Sequence, residues 1–126
     1  MKSQTTVEEV VRNCYDAYNK RDRAGLEAVI ADDFHFTSPL DNQINRQTYF
    51  EICWPNSETI IVLTLQHVAV IGDKAFVTYE GLKRDGQRFR NTELLTVKDG
   101  KISEVEVYFG WNVPHDVPAG AHKDGA

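Results

Sequence analysis

Residues 69–102 read AVIGDKAFVTYEGLKRDGQRFRNTELLTVKDGKI. The pairs Gly72-Asp73, Asp85-Gly86 and Asp99-Gly100 punctuate runs rich in β-branched and aromatic residues. Glycine and aspartate tolerate the positive φ that tight hairpins need, so each pair marks a turn between antiparallel strands. Working outward gives strands at about 59–71, 74–84, 87–97 and 101–111, an antiparallel meander.

Turn length decides which side chains share a face, because they alternate with a period of two. Two-residue turns at Gly72-Asp73 and Asp85-Gly86 pair Ile71 with Lys74 and Arg84 with Gln87. A three-residue loop with Gly100 left-handed pairs Val97 with Lys101. On that register one face carries Leu65, Glu80, Asn91 and Val107 in a row, then His67, Thr78, Glu93 and Val105. Ala69, Phe76, Leu95 and Ser103 form a third row, and Leu63, Leu82, Phe89 and Phe109, continuing to Trp111, a fourth. The opposite face carries Arg88, Arg90, Lys98, Glu104 and Glu106 with Ile60, Val62, Val68, Val70, Val77, Tyr79 and Leu94. The first face has more aromatic rings and fewer charges, so it is expected to receive the helices. Phe76, Phe89, Leu95, Val105 and Phe109 are then buried beneath the first helix, and Glu104 and Glu106 are not. The second face is too apolar to be plain solvent surface, and its Val68, Val77, Tyr79 and Leu94 are expected to be covered by a second copy of the chain, giving a homodimer.

The N-terminal half has helical spacing. Thr5 or Thr6 followed by Glu8 or Glu9 is a capping-box pattern, and a helix to about Lys20 places Val7, Val10, Val11, Cys14 and Tyr18 on one stripe with Tyr15 at its edge. Ala24 to Ile30 reads as a shorter helix burying Leu26, Val29 and Ile30, FHFTS as a short strand, PLDNQ as a loop, and Arg46 to Trp54 as a third helix stopped by Pro55. Residues 1–111 form one domain on this reading. The Pro-, Gly- and Ala-rich residues 112–126 are a flexible tail.

Composition narrows the function classes. Within 126 residues, 14 Lys+Arg against 19 Asp+Glu give a net charge of −5, which argues against a nucleic-acid partner. No run approaches the roughly 20 apolar residues that cross a bilayer, and MKSQTTVEEV has no signal-peptide core. Cys14 and Cys53 form no CxxC pair, the histidines have no ligand spacing, and no Gly-rich phosphate loop is present. The expectation is a cytoplasmic protein with no metal or cofactor and no membrane partner.

The expected inner face has a polar strip of His67, Thr78, Glu80, Asn91 and Glu93 within an apolar rim. A buried carboxylate without partners costs several kcal/mol, so these groups pair, take up a proton, or line a cavity that holds water or ligand. A pocket for a small, largely apolar molecule accounts for them most simply. His67 and Glu93 could share a proton network suited to taking a proton alpha to a carbonyl, or His67 is a core histidine bonded to Thr78. Glu80 could hold a ligand oxygen or simply bond to Asn91. The candidate catalytic residues are His67, Glu93 and Glu80. Tyr18, Phe36, Trp54, Thr78, Asn91, Val107, Phe109 and Trp111 are candidate ligand contacts, although for Tyr18 and Trp54 core packing from the first and third helices is the leading reading.

The order helix, short helix, strand, helix and meander resembles the nuclear transport factor 2-like superfamily, and within it the SnoaL-like polyketide cyclases and ketosteroid isomerases. The resemblance spans about residues 5–111 and rests on YNKRDRAGLEAVIADDFHFTSP (18–39), VIGDKAFVTYEG (70–81) and TELLTVKDGKISEVEVYFG (92–110). It implies an α+β, cystatin-like barrel: a curved antiparallel sheet wrapped around N-terminal helices and dimerising through its outer face. The isomerase's general base, an aspartate before a proline, falls on Ser38, which has no carboxylate. Its first oxyanion donor, a tyrosine, falls on Cys14, with Tyr15 and Tyr18 nearby; its second, a protonated aspartic acid, falls on Glu93. SnoaL-like cyclases use a buried carboxylate as base, a role open here to Glu93 or Glu80. The resemblance thus implies cofactor-free isomerase- or cyclase-type proton transfer on a small apolar carbonyl compound. The alternative is a non-catalytic ligand-binding or dimerisation module of the same fold.

Overall fold

The structure is a computed structural model that describes residues 6–120. Thr6 caps α1 (Val7–Asn19): its hydroxyl accepts from the Glu9 amide at 3.1 Å, and the Glu9 carboxylate reaches back to the Thr6 amide. This is the expected capping box, and it satisfies two amides that a helix start leaves free. Asp22 caps the short α2 (Arg23–Val29). Two strands follow, β1 (Ile30–Ser38) and β2 (Asp41–Asn45). The segment expected to break after α2, Ala31 to Asp33, therefore lies within β1, and PLDNQ is a hairpin rather than a plain loop.

The third helical segment also runs past its expected end. α3 (Arg46–Thr48) passes into a π turn (Tyr49–Cys53) and then a 3-10 turn (Trp54–Thr59). Pro55 does not stop it. The proline lies in the first turn of the 3-10 segment, where its missing N–H is not needed, and the change of helix type absorbs the lost bond.

The long strands are β3 (Ile60–Ile71), β4 (Lys74–Lys83), β5 (Arg88–Lys98) and β6 (Lys101–Val113). The six strands form one sheet in the order β2-β1-β6-β5-β4-β3, antiparallel except where β1 lies parallel to β6. Bulges interrupt the β3–β4 ladder between Ile60 and Val62 and between Leu65 and His67, and the β5–β6 ladder at two further places. Each bulge bends its strand and adds twist. The sheet consequently curves around α1, the expected α+β, cystatin-like arrangement in an open form with β2 and β3 as edges. Residues 112 and 113 belong to β6 rather than to a tail, and the end of the expected tail, residues 121–126, lies outside the described residues.

The registers correct the face assignment. Gly72-Asp73 is the expected turn, with Ile71 opposite Lys74. Asp85-Gly86 is not: Lys83 donates to the Gln87 carbonyl across a three-residue loop, with Gly86 left-handed at φ 91° and its amide bonded to the Lys83 carbonyl. The ladder shifts by one, Val77 lies opposite Glu93 and Tyr79 opposite Asn91, and β4 turns its odd-numbered side chains inward. Ala75 and Val77 are fully buried and Tyr79 nearly so, whereas Phe76 is 41% exposed on the outer face. Asp99-Gly100 forms a two-residue turn, both residues at positive φ, with Lys98 opposite Lys101. A bulge beyond it restores the parity, so Glu93, Leu95, Val105 and Val107 face inward as expected. The bulge after Leu65 does the reverse in β3: Leu63 and Leu65 face in, but His67 and Ala69 face out and Val68 in. Of the expected inner aromatics, Phe89 is half-buried and Phe109 is 52% exposed.

Asn19, at the end of α1, fastens that helix to the edge of the sheet. Its amide donates to the Leu63 carbonyl at 2.9 Å, and its oxygen accepts from the Leu63 amide at 2.8 Å. The helix is thereby held over the concave face with Tyr15 and Tyr18 turned toward it.

Candidate functional site

Between α1, the π turn and the concave face lies a cavity of about 230 Å³. It is larger than the engineered cavity of roughly 150 Å³ that takes up benzene, so it suits a compact ligand of about ten heavy atoms. Aromatic rings dominate its walls. Phe34 and Phe36 of β1 each lie 5.1 Å, centroid to centroid, from Tyr49, and Tyr15 lies 5.6 Å from Tyr79. The cavity opens where the exposed Leu40, Asn56 and Phe109 meet.

Glu93 lines this cavity with both carboxylate oxygens engaged. Tyr15 donates to Oε1 at 2.8 Å from α1, and Tyr79 donates to Oε2 at 2.7 Å from the neighbouring strand. Asn91 supports the second donor, its amide donating to the Tyr79 hydroxyl at 3.2 Å while its oxygen accepts from the Gly110 amide. Burial raises the Glu93 pKa, and the hydrogen bonds from Tyr79 and Tyr15, which favour the ionised form, oppose the rise without cancelling it. Burial first, and then the nearby Glu93, pushes Tyr15 and Tyr79 well above the ordinary phenol range, so both remain neutral donors. Tyr18 is pushed up to about 12 by burial, with Glu93 adding to the effect.

The cavity also contains two thiols. Burial, then Glu93, raises Cys14, and Cys53 is pushed up to about 11, chiefly by burial and then by Asp41. Neither offers the thiolate that a nucleophile requires. Among the described residues no group of three or more His, Cys, Asp or Glu side chains is arranged to hold a metal ion. No helix among them is long and apolar enough to cross a membrane.

Of the three candidate catalytic residues, only Glu93 is in the cavity. His67 is exposed on the outer face opposite Thr78, because the bulge after Leu65 turns it over. Glu80 is also on the outer face, 2.9 Å from Arg88 and 3.9 Å from Arg90, as the Asp85-Gly86 loop length requires. Thr78 is displaced with them and bonds to Thr92 across the outer face at 2.8 Å. Tyr18, Phe36, Asn91, Val107 and Phe109 do line the cavity. Trp54 lies behind the wall, edge-on to Tyr18 at 5.9 Å, and Trp111 is outside the mouth against His115.

The principal omission from the sequence reading is Tyr79. The composition of β4 carried a signal for it: the odd positions from Ala75 through Val77 and Tyr79 to Gly81 hold no charge before Lys83 at the strand's end, whereas the even set includes Lys74 and Glu80. Gly81 makes a further contribution, since a Cβ there would run into the Phe89 ring. Its absence lets Phe89 lie across the end of the cavity.

The Glu93 shift gives a signed expectation. The folded pKa lies above the unfolded value of about 4.3, so the folded protein retains a proton that the unfolded chain has lost. Stability is therefore highest below that value and falls as pH rises toward the folded pKa. Urea denaturation from pH 4 to pH 8 should show wild type losing stability relative to Glu93→Gln as pH rises. A constant difference between the two would mean that the carboxyl titrates normally.

The model of the SnoaL-like domain matches residues 11–105 of this chain. Among solved structures, a candidate polyketide cyclase from Sinorhizobium meliloti is 24% identical with a TM-score of 0.66, covering 79% of this chain and 93% of its own. A candidate ketosteroid isomerase from Kribbella flavida is 20% identical with a TM-score of 0.73, covering 90% and 83%. A Xanthomonas campestris protein of unknown function with a cystatin-like fold is 19% identical with a TM-score of 0.67, covering 83% and 91%. At these identities the structural likeness speaks for the fold. No curated protein matches the chain by sequence. The domain match, together with the curved sheet closed over α1, shows that the chain belongs to the SnoaL-like domain family.

Proposed function

We propose that this SnoaL-like protein binds a small, largely apolar carbonyl compound in the cavity and moves a proton on it without a cofactor, with Glu93 as the acid-base group. The observation that carries this reading is the two-tyrosine embrace of Glu93 inside an aromatic cavity. An ionised Glu93 holds both hydroxyl donors and still has lone pairs free to accept the proton alpha to the carbonyl. Once protonated, it needs those donors less. One hydroxyl is then free to turn to the enolate oxygen, while the new acid returns its proton to a different carbon. The C–H bond broken at one position is replaced by a C–H bond formed at another, which is an isomerisation. The raised pKa brings the carboxyl nearer neutral pH, where an acid-base group works best. His67 and Glu80, on the outer face, have no part in it.

A second reading has its own support. Both tyrosine hydroxyls are already committed to Glu93, as in a structural network, and the same cavity could bind a ligand without altering it. The two readings separate with 4-phenylbutan-2-one in D2O, followed by proton NMR. Catalysed exchange alpha to the carbonyl is expected, and Glu93→Gln should slow it by about 10²–10⁴-fold, the usual contribution of a general acid-base group. Binding without catalysed exchange would favour the binding module.

The proposal extends to assembly in the cytoplasm as a homodimer. With the registers corrected, the outer face keeps Leu94, and Phe76 and Tyr108 replace Val68, Val77 and Tyr79 among the residues a second copy would cover. Sedimentation at micromolar concentration should give the dimer mass, and a monomer mass would refute this part of the reading.

A further inference from the structure

The inward side chains of β4 run Ala75, Val77, Tyr79, Gly81 and then Lys83. A lysine on a concave face is out of character, and its surroundings differ from those of the cavity. Lys83 Nζ sits 5.7 Å from the centre of the Phe89 ring, and among the described residues it makes no ion pair. It borders a groove of about 490 Å³ outside the cavity mouth, where it is the one charged side chain. Asn56, Ile60, Phe89, Asn91 and Phe109 line both spaces, so the groove adjoins the cavity. Trp111 and Phe109, 54% and 52% exposed, supply apolar surface in the groove. The charged side chains lining the cavity itself are Glu93 and Asp41, both acidic. The combined site is negative within and positive outside.

From this charge order we infer that the groove is a second subsite, taking an anionic tail of the same ligand whose apolar body occupies the cavity, with Lys83 as the counter-charge. The inference rests on the cavity reading above and narrows its ligand to an amphipathic carboxylate. The two acidic groups within keep an anionic end out of the cavity. The Lys83 ammonium, held over Phe89 at the junction, attracts that end into the groove. The carboxylate thereby fixes which end of the molecule meets Glu93. On the far side of Lys83 the acidic Glu58 and Asp85, together with Arg84, line a separate depression. There an anion would meet both signs of charge, so the favourable position is on the Phe89 side.

The test compares two probes with one body, 4-phenylbutan-2-one and 4-(3-oxobutyl)benzoate, by calorimetry at low ionic strength on wild type, Lys83→Gln and Lys83→Arg. The acid is expected to bind wild type about three- to fivefold more tightly than the ketone, the range of a partly exposed ion pair. Lys83→Gln should abolish that preference without altering ketone affinity, and Lys83→Arg should retain it. Equal or weaker binding of the acid to wild type overturns the subsite, as does a preference that survives in Lys83→Gln. Ketone binding with no preference for the acid would remove the subsite and leave the cavity reading standing. A preference for the acid without alpha-proton exchange would uphold the subsite and remove the proton-transfer reading. Binding of neither probe at millimolar concentration overturns both.

Discussion

The bridge from Tyr15 through Glu93 to Tyr79 is the interaction on which the rest depends. A carboxylate facing an apolar cavity is costly unless donors meet it, and the donors come from different parts of the fold, one from α1 and one from the sheet. The bridge therefore ties helix to sheet beside the Tyr15–Tyr79 ring contact. Asn19, bonded to both backbone groups of Leu63, fixes the helix end. Phe89, folded over the bare Gly81, closes part of the sheet's end. With these contacts in place the space between helix and sheet remains a cavity rather than a collapsed core.

Much of this was legible in the sequence, for identifiable reasons. Helical spacing with a capping box defined α1, and Gly-Asp pairs located the hairpins of the meander. Glu93 stood out as an acid among inward apolar residues. The part that was not legible turns on single residues. Asp85-Gly86 suits a two-residue turn and equally a three-residue loop with a left-handed glycine, and the difference sends Tyr79 inward and Glu80 outward. The bulge after Leu65 has no glycine or proline to announce it, yet it moves His67 to the surface. Glu93 retained its expected face through a cancellation: the shorter turn at Asp99-Gly100 and the bulge beyond it each shift the register by one. The strand β2 was hidden because it depends on pairing with β1 rather than on local propensity, and the continuation past Pro55 because the proline falls in the first turn of a new 3-10 segment.

The proposed chemistry follows from this layout. Of the positions that the resemblance to the isomerases implies, Glu93 faces the cavity, Tyr15 of α1 reaches it from beside Cys14, and Ser38 has no carboxylate. A site with one acid-base carboxyl and two neutral phenols can both remove and return a proton, provided the carboxyl changes state near working pH. The direction of its pKa shift is thus the quantity that links packing to reactivity. The same carboxyl gives the cavity its negative character, which lends significance to the cation outside the mouth.

The central claim is that Glu93 is a desolvated carboxyl held by two phenol donors, and carbon NMR of its carboxyl through a pH titration tests it most directly. The wild-type midpoint should lie above the ordinary value of about 4.3. It should move higher still in Tyr15→Phe and in Tyr79→Phe, because each removes a hydrogen bond that favours the ionised form. A wild-type midpoint at the ordinary value, unmoved by either substitution, would contradict the account.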